Sequence, residues 1–360
     1  MSDERPAWLL PTPARRDELP TGAGLRALML RLMRGEHLNR AEAAALLDAL
    51  LDASATDAQI AGALVALALK GETVEELTGM AEAMRSRAVR IRSGHKHFID
   101  TAGTGSSAAK TFNVSTAAAF VIAGAGLPVA KHGSRAATSR SGSADVLSAL
   151  GVQVFVAPEV SERCLNQLGM CFMFAPLYHG ATARVAGVRR ELGVHTTFNL
   201  LGPLTNPAGA PRQIIGVWHA SLVEPLARTL AALGTERAWV VHGRDGLDEI
   251  TISDHTLVAE AQGGAVSTFE ITPEDFALPR AQLEELRGGD AEINASIILS
   301  VLRGERHDAA RSLIVANAAG ALFVGGAASN LRDAAALAVQ SIDGGAAHDK
   351  LQQLVKATNS

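Results

Sequence analysis

The chain has 360 residues, a formal net charge of −4 and a sequence pI near 6.3. Hydrophobic residues make up 48%, aromatic residues 4% and charged residues 19%, a balance typical of a folded α/β protein with a core of small aliphatic side chains. The slight acidity argues on global grounds against a nucleic acid or an anionic membrane as partner, and the length favours two domains.

The N-terminal residues are mixed in charge and rich in proline, without the charged and then apolar order of a signal peptide. No apolar run reaches the roughly 18 to 20 residues that span a bilayer. The two cysteines, Cys164 and Cys171, fit no zinc-binding spacing and indicate a reducing compartment. We therefore expect a soluble, cytoplasmic protein.

Residues 1–22 carry four prolines and little periodicity, so we expect a mobile arm there, followed by a helical domain over residues 23–92. In this domain three capping boxes predict helix starts, because each pairs an N-cap oxygen with a side chain three residues later. The pairs are Asn39 with Glu42, Thr56 with Gln59, and Thr73 with Glu76. Gly71 is expected to be the left-handed residue that ends a helix. Together these signals predict four short helices.

The predicted helical domain carries more leucine than one small bundle is expected to bury. The leucines are Leu38, Leu46, Leu47, Leu50 and Leu51. Two interpretations stay open: a surface that a second copy covers, which would make the protein a homodimer, or an ordinary core.

From residue 93 to 360, short β-rich runs alternate with helical segments, which predicts an α/β domain with a mostly parallel central sheet. The predicted strands are Phe98–Asp100, Pro128–Ala130, Val152–Val156, Cys171–Phe174, Ile214–Val217, Trp239–His242 and Leu257–Ala259. The predicted helices include Thr116–Ala125, Ala144–Leu150, Leu222–Leu233 and Ile293–Leu302. A helix within residues 180–195 is expected to join the helical domain. Ligands of such sheets bind beyond the carboxyl ends of the strands.

A glycine-rich turn follows the first predicted strand. After Asp100 the chain reads Thr-Ala-Gly-Thr-Gly-Ser-Ser, and Thr111-Phe-Asn-Val-Ser-Thr then opens a helix. Glycines let a ligand approach the backbone, and a helix start offers free amides, so the segment suits a phosphate. It is not a Walker A loop, because Ala109 and Thr104 stand where that motif needs glycine. An ordinary strand-to-helix turn is the alternative.

A second polar segment runs from Lys131 to Ser143 with the sequence Lys-His-Gly-Ser-Arg-Ala-Ala-Thr-Ser-Arg-Ser-Gly-Ser. Its 13 residues include four basic side chains, two glycines and five hydroxyls. That density suits an anion with several oxygens. A solvated basic loop is the less favoured interpretation, because the segment lies between a predicted strand and a helix start.

The run Gly246-Leu-Asp-Glu follows another predicted strand. The adjacent carboxylates of Asp248 and Glu249 can bind one hard cation, directly or through its waters. By itself an acidic surface turn is the commoner explanation.

A fourth segment runs from Tyr178-His179 through Arg189 to Asn199-Leu-Leu-Gly-Pro-Leu-Thr-Asn-Pro. We interpret Gly-Pro-Leu-Thr-Asn-Pro as a turn-rich segment of fixed shape. Arg189, on the preceding predicted helix, could bind a carboxylate in a bidentate way. A surface arginine is the alternative.

In this order, the four segments resemble the anthranilate phosphoribosyltransferase family, over most of the chain from about Leu25 to beyond Leu331. The resemblance implies a homodimer that transfers the phosphoribosyl group of phosphoribosyl pyrophosphate (PRPP) to the amine of anthranilate with Mg²⁺, in tryptophan biosynthesis. It implies PRPP binding by Gly103, Ser106, Ser107, Thr111, Asn113, Val114, Ser115, Thr116, Lys131, His132, Gly133, Ser134, Arg135, Ala136, Ala137, Thr138, Ser139 and Ser143. It implies anthranilate binding by Gly103, Ser134, His179 and Arg189, and a magnesium site at Ser115, Asp248 and Glu249. It implies no covalent nucleophile.

The sequence departs from the family pattern at three places. Ser106-Ser107 replace the usual Gly-Asp of the first loop, Ser134 replaces Asn in the second, and Gly180 replaces the Pro that usually follows His179. The first change touches the phosphate and metal side and the others the acceptor side, so the donor is more strongly implied than the acceptor. Two alternatives stay open: a pyrimidine nucleoside phosphorylase-like enzyme, and a non-catalytic nucleic-acid-binding relative.

Overall fold

The computed structural model describes residues 24–105, 111–135 and 141–360. The expected N-terminal arm, residues 1–22, lies outside the described residues. Among the residues that are described, no helix is both long and apolar enough to cross a membrane.

Four helices form the N-terminal region, as the capping signals predict. They are α1 (Leu25–Met33), α2 (Arg40–Leu51), α3 (Asp57–Lys70) and α4 (Val74–Arg87). All three capping boxes are present, with both hydrogen bonds of each pair. Gly71 follows α3 with φ 79° and ψ 136°, so its φ is positive as expected, but the residue is not in the left-handed helical conformation.

The leucines of the helical region are buried within the chain itself. The exposed fractions of Leu38, Leu46, Leu47, Leu50 and Leu51 lie between 0% and 8%. The interpretation of these five as a partner surface is therefore wrong, and the alternative of an ordinary core holds. The bundle buries them because two helices of the second region, at residues 183–192 and 197–204, cover it, with Val185, Val188 and Phe198 in the same hydrophobic cluster.

A seven-stranded sheet forms the centre of the larger region, in the order β3-β2-β1-β4-β5-β6-β7. The strands are β1 (Ile99–Gly103), β2 (Val129–Gly133), β3 (Met170–Phe174), β4 (Arg212–Gly216), β5 (Arg237–Gly243), β6 (Thr256–Gln262) and β7 (Ala265–Ile271). The first five are mutually parallel, and β6 and β7 are antiparallel additions at one edge. The predicted mostly parallel α/β architecture beside a helical region is confirmed.

Further helices belong to this region, and most of them cover the two faces of the sheet. They are α5 (Val114–Gly124), α6 (Ser143–Ala149), α7 (Pro158–Leu168), α8 (Ala175–Tyr178), α9 (Ala183–Leu192), α10 (Thr197–Leu204), α11 (Val223–Ala232), α12 (Ala291–Leu302), α13 (Ala309–Val324), α14 (Leu331–Asp343) and α15 (Ala346–Thr358). Successive β4 side chains point to opposite faces, so Ile214 joins the cluster with α5 and α13, and Ile215 joins the cluster with α11 and the N-terminal helices. The expected boundaries between the domains stay a prediction.

Two local expectations were wrong, and one strand was missed. Residues 152–156 alternate like a strand but form none, and the Gln153 amide donates to Thr358 Oγ1 (3.1 Å) instead of to a neighbouring strand. Strand β7 was not predicted, although Gly263 and Gly264, with φ 58° and 83°, make the two-residue turn typical of a hairpin. The segment predicted as turn-rich is helical up to Leu204, and the turn begins only at Thr205.

Candidate functional site

The carboxyl ends of β1 and β4 lie side by side and are joined by main-chain contacts. Gly103 is in register with Gly216, and the Thr104 amide donates to the Gly216 carbonyl at 2.9 Å. A Cβ built on Gly216 would lie 1.6 Å from the carbonyl oxygen of Asp248. Only glycine fits at residue 216, and this close approach places the predicted acidic pair at the strand ends.

Lys131 is buried at the end of β2, and its ammonium group is held by residues of β1 and α5. Its Nζ donates to the Thr101 carbonyl and lies 3.3 Å from Thr101 Oγ1 and from Ser115 Oγ. Burial lowers the Lys131 pKa, although the charges of Asp100 and Glu249 oppose that shift. The sequence-predicted residues Lys131 and Ser115 therefore meet directly.

Glu249 faces the same cluster from the loop between β5 and β6. It accepts a hydrogen bond from the Ser115 amide at the start of α5. Burial and the neighbouring Asp248 raise the Glu249 pKa, against the opposing effect of Lys131. Two half-buried carboxyl groups thus lie next to each other beside the ammonium group of Lys131, which is costly unless a cation or hydrogen bonds compensate.

These residues suit a magnesium ion. Mg²⁺ is typically held by one or two carboxylates, with waters and substrate phosphates completing its coordination. Within residues 24–105, 111–135 and 141–360, no group of three or more His, Cys, Asp or Glu side chains could hold a metal ion. Asp248, Glu249 and Ser115 therefore fit a metal that arrives with a phosphorylated substrate.

His132 extends the cluster toward α10 and His179. It donates to the Gly202 carbonyl of α10, and its Nε2 atom is buried without a protein partner among the described residues. The ring centroids of His132 and His179 are 5.1 Å apart. Burial, and next to it the neighbouring His179, lower the His132 pKa to about 3, so the imidazole is neutral.

Asp100 and Asn206 hold this part of the site together, and sequence reasoning assigned neither of them a role. The Asn206 amide donates to Asp100 Oδ2 at 2.7 Å and to the Ala130 carbonyl at 2.8 Å, while the His132 amide donates to Asp100 Oδ1. Burial raises the Asp100 pKa to about 6, although these hydrogen bonds lower it. The Asn-Pro pair that follows Gly-Pro-Leu-Thr is the sequence feature that could have indicated a role for Asn206.

The two described parts of the second predicted phosphate segment, residues 131–135 and 141–143, lie in contact with each other. A Cβ on Gly133 would lie 2.2 Å from Ser143 Oγ, and that hydroxyl donates to the Ser134 carbonyl at 3.2 Å. Ser134 itself is exposed. Arg135 pairs with Asp145 at 3.2 Å and lies over the ring of Phe155 at 5.5 Å from its centroid. Gly133, Ser134, Arg135 and Ser143 therefore cluster at the start of α6.

The start of α5 is fastened by a segment that sequence reasoning missed. Thr111 forms a β-bridge with Arg287, and Asn113 Oδ1 accepts hydrogen bonds from Asn294 (3.0 Å) and Ser141 (3.2 Å). Asn113 therefore uses its side chain to join α5, α12 and the second segment. The neighbouring Val114 and Thr116 are fully buried.

Arg189 and His179, the residues predicted for the acceptor, lie beside α10. Arg189 donates from Nε to Thr196 Oγ1 (3.2 Å) and from Nη2 to Asn199 Oδ1 (3.3 Å). Its guanidinium lies over the Phe198 ring, and burial lowers its pKa. His179 Nε2 lies 3.1 Å from the Thr205 carbonyl. Both side chains are half-buried or buried and held in place.

Six predicted site residues lie outside the described residues: Ser106, Ser107, Ala136, Ala137, Thr138 and Ser139.

Two family models match the chain and together cover most of it. Residues 95–348 match the glycosyl transferase family, a/b domain, and residues 26–88 match the glycosyl transferase family, helical bundle domain.

Similar curated proteins are named anthranilate phosphoribosyltransferase. The protein from Moorella thermoacetica is 52% identical over 92% of this chain and 97% of its own length. The protein from Anaeromyxobacter dehalogenans is 55% identical over 91% of this chain and 97% of its own length.

Solved structures that resemble this chain carry the same name. Anthranilate phosphoribosyltransferase from Thermus thermophilus has a TM-score of 0.88 at 39% identity, covering 92% of this chain and 99% of that one. The Saccharomyces cerevisiae enzyme in complex with PRPP and Mg has a TM-score of 0.84 at 26% identity, covering 93% and 98%.

Proposed function

The chain belongs to the anthranilate phosphoribosyltransferase family, and we propose that its strand-end cluster binds PRPP with Mg²⁺ while the α9–α10 segment binds anthranilate. The chain is a pentosyltransferase that transfers the phosphoribosyl group of PRPP to the amine of anthranilate, with release of pyrophosphate, in tryptophan biosynthesis. A pyrimidine nucleoside phosphorylase-like activity and non-catalytic nucleic-acid binding are not favoured.

One observation carries the assignment of the donor site. The carboxyl pair Asp248 and Glu249 lies at the ends of β1 and β4, against Ser115 and the buried ammonium group of Lys131. A diphosphate with Mg²⁺ suits this cluster, because the metal neutralises the carboxylates and the phosphate oxygens accept hydrogen bonds from hydroxyls, amides and cations. The yeast relative, whose structure contains PRPP and Mg, supports the same ligands here.

The reaction needs no covalent nucleophile from the protein. Displacement at the anomeric carbon of ribose builds positive charge on the ring and negative charge on the departing pyrophosphate. Mg²⁺ supplies electrostatic stabilisation of that leaving charge when it is bound. The amide groups at the start of α5 and the cations of the second segment stabilise the same negative charge.

Arg189 is positioned for the anthranilate carboxylate. Its Nε and Nη2 atoms are held by α10, which fixes the plane of the guanidinium. Holding the carboxylate directs the neutral aromatic amine at the ribose, and such orientation contributes up to about 7–11 kcal/mol in favourable systems. Ser134, Gly103 and His179 complete the proposed acceptor side. The neutral His132 next to His179 adds no charge that would repel the cationic ribose.

We propose a homodimer that associates through the helical region. With the five leucines buried, the support comes from exposed apolar side chains on α1 and α3: Met33 (49% exposed), Val65 (38%) and Leu69 (84%). Helices α1 and α3 pack together, so these side chains belong to one part of the surface. A second copy of the chain would cover them, and two-fold dimers are the commonest assembly.

Light scattering after size exclusion tests the dimer. The parent should have twice the mass of one chain, and the Leu69→Glu variant should have the mass of a single chain. Ile293→Glu, which changes an exposed apolar residue on α12, should leave the mass unchanged. A monomeric parent, or dissociation by the α12 control, would contradict the proposal.

The fluorescence of anthranilate provides the direct test of the activity. The purified chain should consume anthranilate only when PRPP and Mg²⁺ are both present, and a chelator should stop the reaction. If anthranilate is not consumed but another ring-substituted benzoate is, the reaction type stands and the acceptor is wrong.

A further inference from the structure

Asn317 is a buried polar residue in the middle of α13, a helix that otherwise consists largely of small apolar side chains. It is 4% exposed. Its Oδ1 accepts from the Ile250 amide at 2.9 Å, and its Nδ2 donates at 2.9 Å to the carbonyls of both Ile250 and Leu313. One side chain therefore satisfies both backbone groups of Ile250, the residue that follows Glu249.

The close packing of α13 on the same residue adds to this contact. A Cβ on Gly320, nearly one turn after Asn317, would lie 2.3 Å from Ile250 Cδ1. Ile250 is fully buried. The absence of a side chain at residue 320 thus allows Ile250 to dock on the helix, while the Asn317 amide fixes the orientation of its peptide groups.

The other end of the short segment is fixed by the sheet. Asp248 lies with its carbonyl against Gly216, where no Cβ fits. Residues 248–250 are therefore held between β4 on one side and α13 on the other. The Asp248 and Glu249 side chains project from a backbone that has little freedom to move.

We propose that Asn317 is a positioning residue for the Asp248–Glu249 pair, setting the distance and direction of the two carboxylates for the Mg²⁺ that accompanies PRPP. The proposal rests on the metal role of that pair given above. Mg²⁺ demands nearly ideal octahedral geometry, so a metal site is sensitive to small shifts of the backbone that carries its ligands. Groups that orient metal ligands typically change metal affinity about 10- to 100-fold when they are removed.

Asn317→Ala is the informative substitution, because alanine suits this helix and removes all three hydrogen bonds. Ser341→Ala is the matched control: Ser341 is a buried polar residue of α14 whose hydroxyl donates to the Val121 carbonyl at 2.8 Å, away from the acidic pair. Both variants lose buried hydrogen bonds in the C-terminal helices. Only the first loses contacts to residue 250.

Three measurements distinguish a positioning role from general stabilisation. The first is the affinity of the PRPP-loaded protein for Mn²⁺, followed by electron paramagnetic resonance. The second is hydrogen exchange of the Ile250 amide. The third compares the Mg²⁺ activation constant with the KM for anthranilate.

For Asn317→Ala we expect a loss of about 10-fold or more in Mn²⁺ affinity, faster exchange at Ile250, and a matching rise in the Mg²⁺ activation constant. The KM for anthranilate should change less than about twofold. Raised Mg²⁺ should restore much of the turnover, and Ser341→Ala should leave the metal constants unchanged.

Unchanged Mn²⁺ affinity in a folded Asn317→Ala variant overturns the proposal. If that variant does not fold, Asn317→Ser, which keeps a polar side chain too short to span both Ile250 groups, undergoes the same measurements with the same criterion. A collapse of turnover in Asp248→Asn/Glu249→Gln with no metal effect at residue 317 would remove only the positioning role. Survival of turnover in that double variant would instead remove the metal role itself.

Discussion

The proposed donor and acceptor sides of the site are built in different ways. On the donor side, main-chain packing fixes the groups: Gly216 touches the Asp248 backbone, and the half-buried side chains of Asp248 and Glu249 lie beside Lys131, which is 2% exposed. On the acceptor side, side chains hold one another: the half-buried Arg189 of α9 donates to Thr196 and Asn199 at the start of α10. Backbone-fixed groups cannot adjust to a substitution, whereas side chains at a half-open surface can.

This difference accounts for where the sequence departs from the family pattern on the described part of the chain. Ser134 is exposed, and no Cβ placed on Gly180 would meet another atom within 4 Å. Both departures thus occur where the structure leaves room. The strand-end residues Lys131, Asp248 and Glu249 follow the pattern, and the backbone that carries the acidic pair packs against Gly216, where no Cβ fits.

The largest effect is expected on the donor side. Asp248→Asn combined with Glu249→Gln should lower turnover by about a thousandfold or more, because metal stabilisation of the leaving charge is worth several kcal/mol. Initial rates with saturating substrates measure this loss. The matched control changes the exposed carboxylates Glu284 and Glu285 to Gln and should be silent. Turnover that survives in the first variant, or that resists chelators, would mean that the pair is an ordinary turn.

Arg189→Ala should affect the two substrates unequally. Loss of a charge-assisted hydrogen bond costs about 1.5–3 kcal/mol, so the KM for anthranilate should rise about 10- to 100-fold while the KM for PRPP changes little. Arg190→Ala, an exposed neighbour on the same helix, should change neither constant. Equal effects on both substrates would place Arg189 outside the acceptor site and weaken the contrast between the two sides.

The neutral, buried His132 connects the two sides and predicts a pH dependence of stability. Its pKa is lowered to about 3 in the folded chain, so the unfolded chain takes up the proton first as the pH falls below about 6.5. Its contribution to stability is therefore present above that pH and is lost as the pH falls. Between pH 7 and pH 5 the free energy of unfolding should lose about 2 kcal/mol from this residue.

Denaturant titrations of the parent and of His132→Asn at both pH values measure this contribution. The variant should lose less stability on acidification than the parent does. His307→Asn, which removes an exposed imidazole, should retain the parent's dependence. Parallel curves for parent and His132→Asn would show that His132 is not held neutral by burial.

The smallest effect is expected at Ser134. Asparagine has a longer arm with both a donor and an acceptor, so Ser134→Asn should reach the acceptor directly where serine acts through water. One added hydrogen bond of about 0.5–1.5 kcal/mol corresponds to a twofold to tenfold lower KM for anthranilate, with the KM for PRPP unchanged. A higher KM for anthranilate in this variant would indicate that the pocket accepts a different benzoate.

Signals carried by near neighbours in the chain were sufficient for much of the fold. The capping boxes at Asn39, Thr56 and Thr73 formed as predicted, because each depends on residues only three positions apart. The predicted strands Phe98–Asp100 and Pro128–Ala130 placed two polar segments at one edge of a sheet, although β1 and β2 extend to Gly103 and Gly133. The prediction of a strand at residues 152–156 failed because a strand needs a partner strand, whereas the Gln153 amide bonds to Thr358, and no local pattern reports that partner.

The sequence by itself determined the helix starts, the α/β class and the chemical types gathered at the strand ends. Only the tertiary structure decided which of these residues lie in contact with one another. Glu249 lies close to Lys131 although the two residues are 118 positions apart in the sequence. Asn317 bonds to Ile250, which precedes it by 67 positions. Such contacts depend on sheet register and helix docking, which arise from the packing of the whole core and from close approaches that only glycines at residues 216 and 320 permit.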